Sequence, residues 1–345
     1  MRTLLIIITT VFLAGVPVSV QSQKFDIPVF AYHRFGDDRF PSTNVTMKVF
    51  EAQLEYLKIN DYLVLTLGEA VEKWNSGANF PEKTVVLTVD DGYLSFYTHG
   101  VKLLKKYGYP ATVFVQTQTV GGNDFMNWNQ LKELSRAGIE IGNHSHSHDH
   151  FVNYPEKDRK DQFRDDLKIA SDLFREHLGE APEIYAYPYG EWTQDMEKVL
   201  EEEGFKAAAV QKSGVLCEMT PRFAIPRFPM GGHFATIEGF ENKITMKALR
   251  IEQEIPDSPF YTSNPPELRV EVVSGKINPK NAQFFVDGVK TEIKKISGGQ
   301  QPYIILKAGK KLSGRRTLYT LTAPSADGKS WHWFSYLWIN PEVEE

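Results

Sequence analysis

The sequence predicts an α/β fold, a parallel sheet or (β/α) barrel, followed by a small all-β sandwich. Three observations predict it. Short apolar runs alternate with helix-patterned segments between Ile27 and Arg227. Four of the helical segments stop at a glycine, Gly108, Gly138, Gly179 and Gly204, and a strand-like run follows each. Beyond Asn264-Pro265-Pro266 the runs become short and are separated by turn pairs. A glycine just past a helix accepts the left-handed cap conformation, and repeated strand-helix grammar favours parallel pairing.

Ile27–Tyr32 reads as the opening strand. Val45–Asn60 is apolar at Phe50, Leu54, Tyr56 and Leu57, near-helical spacing, with Thr46 as N-cap. Tyr62–Leu67 and Leu67–Trp74 follow as strand and helix. Thr84–Val89 is continuous and β-branched, as expected of a strand buried on both faces. Helices are then expected at Tyr93–Tyr107, Asn129–Ala137, Glu156–Leu178 and Gln194–Glu203. Strands are expected at Ala111–Gln116, Glu140–Asn143, Ile184–Tyr187, Ala207–Val210 and Ala224–Arg227. The sandwich is expected from Leu268–Val273, Ala282–Val286, Thr291–Ile296, Tyr303–Leu306, Arg316–Thr322 and Trp331–Ile339. Alternation puts Trp331 and Trp333 on one face of the last strand, taken as the sandwich core rather than a sugar-binding surface.

The expected organisation is a signal peptide over 1–22, a barrel domain over 23–260 and an Ig- or fibronectin-like β-sandwich over 261–345. Arg2, the apolar run Leu4–Leu13 followed by Ala14-Gly15-Val16-Pro17, and the small or polar exit Val20-Gln21-Ser22 have the layout of a secretory leader. The run falls short of the ~20 apolar residues a membrane span needs. A secreted or periplasmic location is therefore expected, with no integral membrane span in the mature chain. Over 345 residues the net charge is −5, with 41% hydrophobic and 24% charged residues. This is an ordinary globular balance without the basic excess of a nucleic-acid binder. The single Cys217 excludes a disulfide framework and a cysteine-rich zinc site. A Gly-rich phosphate loop after a strand is also missing, so nicotinamide cofactors have no support. The sequence does not specify an oligomeric state.

Nine histidines include four at His144, His146, His148 and His150. Asp90-Asp91-Gly92 follows directly on the Thr84–Val89 run. His144 likewise follows the expected strand Glu140–Asn143. In parallel α/β folds, ligands bind at the carboxyl ends of strands. His144 and His148, spaced i, i+4, can aim two imidazoles at one point. With Asp91 they make a site for zinc or a similar divalent ion, cobalt or nickel being alternatives, with positions left open. Such an ion lowers the pKa of a water it holds, and Asp90, left free, can take that water's proton. This predicts hydrolysis of an acyl group. Tyr187-Pro188-Tyr189-Gly190 ends a third strand, where a Pro-Tyr-Gly turn can point a backbone N–H at a developing oxyanion.

Thr88-Val89-Asp90-Asp91-Gly92, His144-Ser145-His146-Ser147-His148 and Tyr187-Pro188-Tyr189-Gly190 resemble, in order and spacing, the motifs of the polysaccharide deacetylase family (carbohydrate esterase family four). The resemblance covers 26–240. Ala31-Tyr32-His33-Arg34-Phe35 further resembles the secreted poly-N-acetylglucosamine deacetylases. The resemblance implies a distorted (β/α) barrel and removal of N-acetyl groups from an acetylated glycan. It also implies Asp90 as base, Asp91, His144 and His148 as metal ligands, and Tyr189 as oxyanion donor. An O-acetyl esterase acting on a xylan-like glycan, and a noncatalytic glycan-binding protein, are the alternatives. Many members carry an arginine where this chain has Ala186, and Arg227 is the candidate replacement. The family's leucine-histidine acid motif is not legible here; His233 is the first candidate for the acid and His33 the second, or a wall of the site. Tyr187, Trp128 and Trp192 are candidate substrate-stacking residues.

Overall fold

The computed structural model describes residues 24–273, 277–298 and 303–344. The expected leader at 1–22 lies outside the described residues.

The first region runs β1 (Asp26–Tyr32), β2 (Arg34–Phe35), β3 (Asn44–Val45), α1 (Met47–Ile59), β4 (Leu63–Leu65), α2 (Leu67–Asn75) and β5 (Thr84–Val89). It continues through α3 (Val101–Tyr107), β6 (Thr112–Val115), α4 (Trp128–Arg136), β7 (Glu140–Asn143), α5 (Glu156–Leu178) and β8 (Ile184–Ala186). It ends with α6 (Gln194–Glu202), β9 (Ala207–Ala209), β10 (Val215–Cys217), β11 (Phe228–Pro229) and α7 (Ile237–Ile244). The strand order is β10-β1-β5-β6-β7-β8-β9, with β4 also on β5 and β11 also on β1. Only the β1–β10 pair in this sheet is antiparallel. This curled sheet with its helices is the expected barrel-like architecture.

The local signals act as their chemistry requires. Thr46 Oγ1 accepts the Val49 N–H at the start of α1, and Thr66 and Glu69 form a reciprocal capping box on α2. The helix expected from Tyr93 opens instead with a π-helical turn, Phe96–Gly100, before α3. β5 is buried at every position. Gly142 is required by close packing: a Cβ there would lie 2.4 Å from the Phe114 ring.

The strand expected at Ala224–Arg227 is displaced, and its role is closure. Ile225 bridges Ala209 in parallel, and Phe228–Pro229 pairs with Phe30–Ala31. The segment 225–229 thus spans from β9 to β1 and carries Arg227 between its two attachments.

The remaining strands are β12 (Lys247–Ala248), β13 (Ile251–Ile255), β14 (Glu267–Val272), β15 (Gln283–Val286), β16 (Val289–Thr291), β17 (Lys295–Ser297), β18 (Tyr303–Lys307), β19 (Arg316–Pro324) and β20 (Trp331–Ile339). They form two sheets, β12-β20-β19-β15-β16 and β13-β14-β18-β17. Leu268, Val270, Ile304 and Leu306 of one sheet share an apolar cluster with Phe284, Tyr319, Leu321 and Trp338 of the other. The all-β pairing begins at Lys247, before the boundary expected at residue 260, because β12 and β13 already pair with β20 and β14.

β20 also corrects the reading of its tryptophans. Phe334, Tyr336 and Trp338 face the β-region core, whereas Trp333, Leu337 and Ile339 pack on clusters of the barrel. Trp331 is 37% exposed, and Trp333 meets Phe228 edge-on at 5.3 Å. The strand is covered on both faces, so alternation could not say which face was the β-region core. Among the described residues, no helix is long and apolar enough to cross a membrane.

Candidate active site

β5 ends at Val89, and Asp90 and Asp91 follow on its carboxyl end. The Asp90 N–H donates to Tyr32 O at 2.8 Å, which brings His33 beside it. Asp91 then turns into the left-handed region, φ 71°. β7 ends at Asn143, and its loop carries His144 and His148. The i, i+4 spacing is realised in that loop and not on a helix. Asn143 Oδ1 accepts the Ser145 N–H, Ser145 Oγ accepts the His148 N–H, and both oxygens of Asp166 on α5 accept the His146 and Ser147 N–H groups at 2.7 and 2.8 Å. Ser145, His148 and Tyr189 also have positive φ, 72°, 58° and 58°. Positive φ strains a residue with a Cβ, and such strain persists where surrounding contacts over-determine the backbone, often at functional sites.

Asp91 Oδ1 lies 3.2 Å from His144 Nε2 and 3.3 Å from His148 Nε2. These three donor atoms lie within 4.8 Å of one another. A divalent ion bonded at about 2 Å with near-tetrahedral angles sets its ligand atoms on the order of 3.3 Å apart, so the donor set fits one. His144 Nδ1 is 2.7 Å from the Ala186 carbonyl, which fixes that nitrogen as the donor and turns Nε2 towards Asp91. Burial alone would raise the Asp91 pKa; hydrogen bonds from His144 and His148 outweigh it and hold the carboxyl well below its usual range. Burial opposes charge on His144, yet Asp91 and Asp90 raise its pKa. Both shifts say that the pocket favours positive charge.

Asp90 does not join that cluster. It is fully buried and takes the Arg227 guanidinium on both oxygens, Nη1 to Oδ1 at 2.6 Å and Nη2 to Oδ2 at 2.8 Å. Arg227 also donates to Thr88 Oγ1 and the Val210 carbonyl. Burial pushes Asp90 up, and the charges of Arg227, His144 and His33 together with the Arg227 hydrogen bonds outweigh it, so the carboxyl lies below its ordinary value and stays ionised. His33 Nε2 is 3.9 Å from Asp90 Oδ2, at the open side of the site.

Tyr189 sits at the rim. Its ring stacks on His150 at 3.7 Å and meets His148 edge-on at 4.6 Å. The other sequence candidates are placed elsewhere. Tyr187 is 0% exposed, packed among Tyr185 and Phe163, and has no surface for a sugar. Trp128 stacks on His177 at 4.4 Å and meets Phe174 edge-on, a helix-packing role on α4. Trp192 packs against the Tyr187 cluster under Lys212. His233 is exposed and lies against Phe234; no described contact links it to Asp90 or Asp91. Sequence reasoning missed Asp166, Glu191 and Arg315. Asp166 looks like any charge on a long polar helix, and Arg315 is remote in sequence.

Residues 77–208 match the family model described as polysaccharide deacetylase. The poly-β-1,6-N-acetyl-D-glucosamine N-deacetylase of Staphylococcus epidermidis is 28% identical over 205 residues, covering 56% of this chain and 70% of its own. The structure of IcaB from Ammonifex degensii is similar with TM-score 0.52 and 28% identity, over 59% of this chain and 91% of that one. The Streptococcus pyogenes deacetylase PplD, in complex with acetate, shares the fold with TM-score 0.58 and 20% identity, over 64% of this chain and 99% of that one.

Proposed function

Over residues 77–208 the chain belongs to the polysaccharide deacetylase family, and from that premise we propose an extracytoplasmic, metal-dependent N-deacetylase acting on an N-acetylglucosamine-type polysaccharide. The chain is a carbohydrate deacetylase. The observation that carries the finer reading is the division of labour between adjacent carboxylates. Asp91 faces two imidazoles within 3.3 Å, while Asp90 faces an arginine.

Asp91, His144 and His148 would hold the divalent ion, zinc being the first expectation for a carboxylate with two imidazoles. When bound, the ion supplies Lewis acidity towards water and the acetyl carbonyl. Asp90 accepts the proton of the attacking water; its oxygens each retain a lone pair beyond the bond from Arg227. Arg227 orients that carboxylate and keeps it charged. The turn at Tyr189 presents a rim to the acetyl group. His33, beside Asp90, is better placed than His233 to return a proton to the departing amine. The relative from Staphylococcus epidermidis acts on a β-1,6-linked polymer by its name, which supports that linkage here. The leader-like segment at 1–22 supports an extracytoplasmic site of action. We assign the region from Lys247 onward to a β-sandwich domain.

The test is acetate release from β-1,6- and β-1,4-linked N-acetylglucosamine oligomers, peptidoglycan and acetylxylan, with zinc, cobalt or nickel added. Release from the glucosamine oligomers that a chelator abolishes is expected. Release from acetylxylan alone would overturn N-deacetylation, and no release from any would overturn turnover.

A further inference from the structure

The β-region reaches the rim of the site through two neighbouring side chains, Arg315 and Arg316. Arg315, immediately before β19, is 6% exposed and Glu191, just after the Tyr189 turn, is 2% exposed. Arg315 Nε and Nη2 donate to the two oxygens of Glu191 at 2.7 and 2.9 Å. Nη2 also donates to Asn153 Oδ1, and Nη1 donates to the carbonyls of Pro341 and Val343. A guanidinium has five N–H donors, and these five contacts use them all. Glu191 also meets His150, whose Nδ1 lies 2.9 Å from Oε2, and Arg316, whose Nη1 lies 3.6 Å from Oε1. His150 in turn stacks on Tyr189, whose edge meets His148. Arg316 lies over the same Tyr189 ring at 5.4 Å.

We propose that the β-region is part of the active site, with Arg315 as a positioning residue that locks Glu191, His150 and the Tyr189 turn against His148. The physical need is plain. Tyr189 holds φ 58° and Gly190 φ 68°, and Gly190 abuts Gln211 so closely that a Cβ would come within 2.2 Å of its backbone N. A turn so strained keeps its shape only when its flanks are fixed. A buried, bidentate ion pair fixes Glu191 in distance and in plane, which a lysine could not do. On the apolar side of the same junction, Leu337 and Ile339 share a cluster with Phe151, Val152 and Tyr187.

The test compares the full-length protein with R315Q/E191Q, which removes both charges and leaves neither buried alone. Hydrogen exchange of the amides in 187–193 is expected to quicken about ten-fold or more, with those of β5 unchanged. Turnover per folded protein, which rests on the deacetylase reading, is expected to fall about ten-fold with KM within about two-fold. Arg315→Lys, which keeps the charge and loses the fork, is expected to lie between the two, and it serves alone should the double variant not fold. Unchanged exchange in 187–193 overturns the proposal. That readout decides the matter even if the wild type releases no acetate, so it fails separately from the deacetylase reading.

Discussion

Arg227 grips both carboxylate oxygens of Asp90 from the segment that closes the barrel, at 2.6 and 2.8 Å with neither side chain exposed. A charge so placed both orients the carboxylate and holds it ionised. Asp90→Asn is expected to reduce kcat about 10²- to 10⁴-fold, the usual loss for a missing general base, while metal content stays that of the wild type. Arg227→Ala leaves Asp90 buried without its partner, and breaking such a pair typically costs about 3–5 kcal/mol of stability. Arg227→Lys is expected to fold and to lose activity, because one ammonium cannot bond both oxygens in plane. Kinetics beside thermal unfolding separate the effects; a fully active Asp90→Asn variant rules out the base assignment.

Metal retention divides the histidine cluster. Asp91→Ala, His144→Ala and His148→Ala are each expected to lose the ion on dialysis, by metal analysis of the purified protein. His146→Ala is expected to keep it, because His146 Nδ1 is 2.9 Å from Thr117 Oγ1 and its imidazole lies outside the donor set. Loss of metal from His146→Ala alone would reverse this assignment.

Glu140, at the start of β7, sets a pH dependence away from the site. Burial raises its pKa above the ordinary value of 4.5, against hydrogen bonds from Thr112 and Gly68. A carboxyl raised in the folded state stabilises fully below its unfolded value, and the benefit is lost as pH rises through the folded value. Thr112 Oγ1 and the Gly68 N–H both donate to the same oxygen, Oε2, which a glutamine carbonyl can replace. Glu140→Gln should therefore gain Tm relative to wild type as pH rises from 4 to 8, by on the order of 2 °C or more. A gap that shrinks with pH contradicts the sign.

Tyr187 tests the distinction between motif and site. Its hydroxyl is buried and has no hydrogen-bond partner among the described residues. Tyr187→Phe removes that group and is expected to leave KM within about two-fold and stability unchanged or raised by about 1 kcal/mol. A marked rise in KM would return Tyr187 to the substrate wall.

The parallel order of the central strands and the placement of Asp90, Asp91, His144 and His148 at strand ends were legible in the sequence. Both rest on local chemistry: β-branched runs form buried strands, glycines end helices, and carboxyl-end loops carry the polar groups that a buried strand cannot. The aromatic candidates were not legible, since a tyrosine in a Pro-Tyr-Gly turn and one preceding it look alike until packing puts Tyr187 inside and Tyr189 at the rim. Nor could spacing decide between a helix and a loop for His144 and His148, because the hydrogen bonds that shape that loop come from Asp166 on α5.

By itself, the sequence determined the α/β grammar, the paired acids and the two imidazoles. Tertiary structure decided which distant charges complete them. Arg227 meets Asp90 across 137 residues and Arg315 meets Glu191 across 124. Ion pairs of that separation leave no periodicity in the chain. They exist only because closing the barrel and docking the β-region remove both partners from water, where each charge must then find the other.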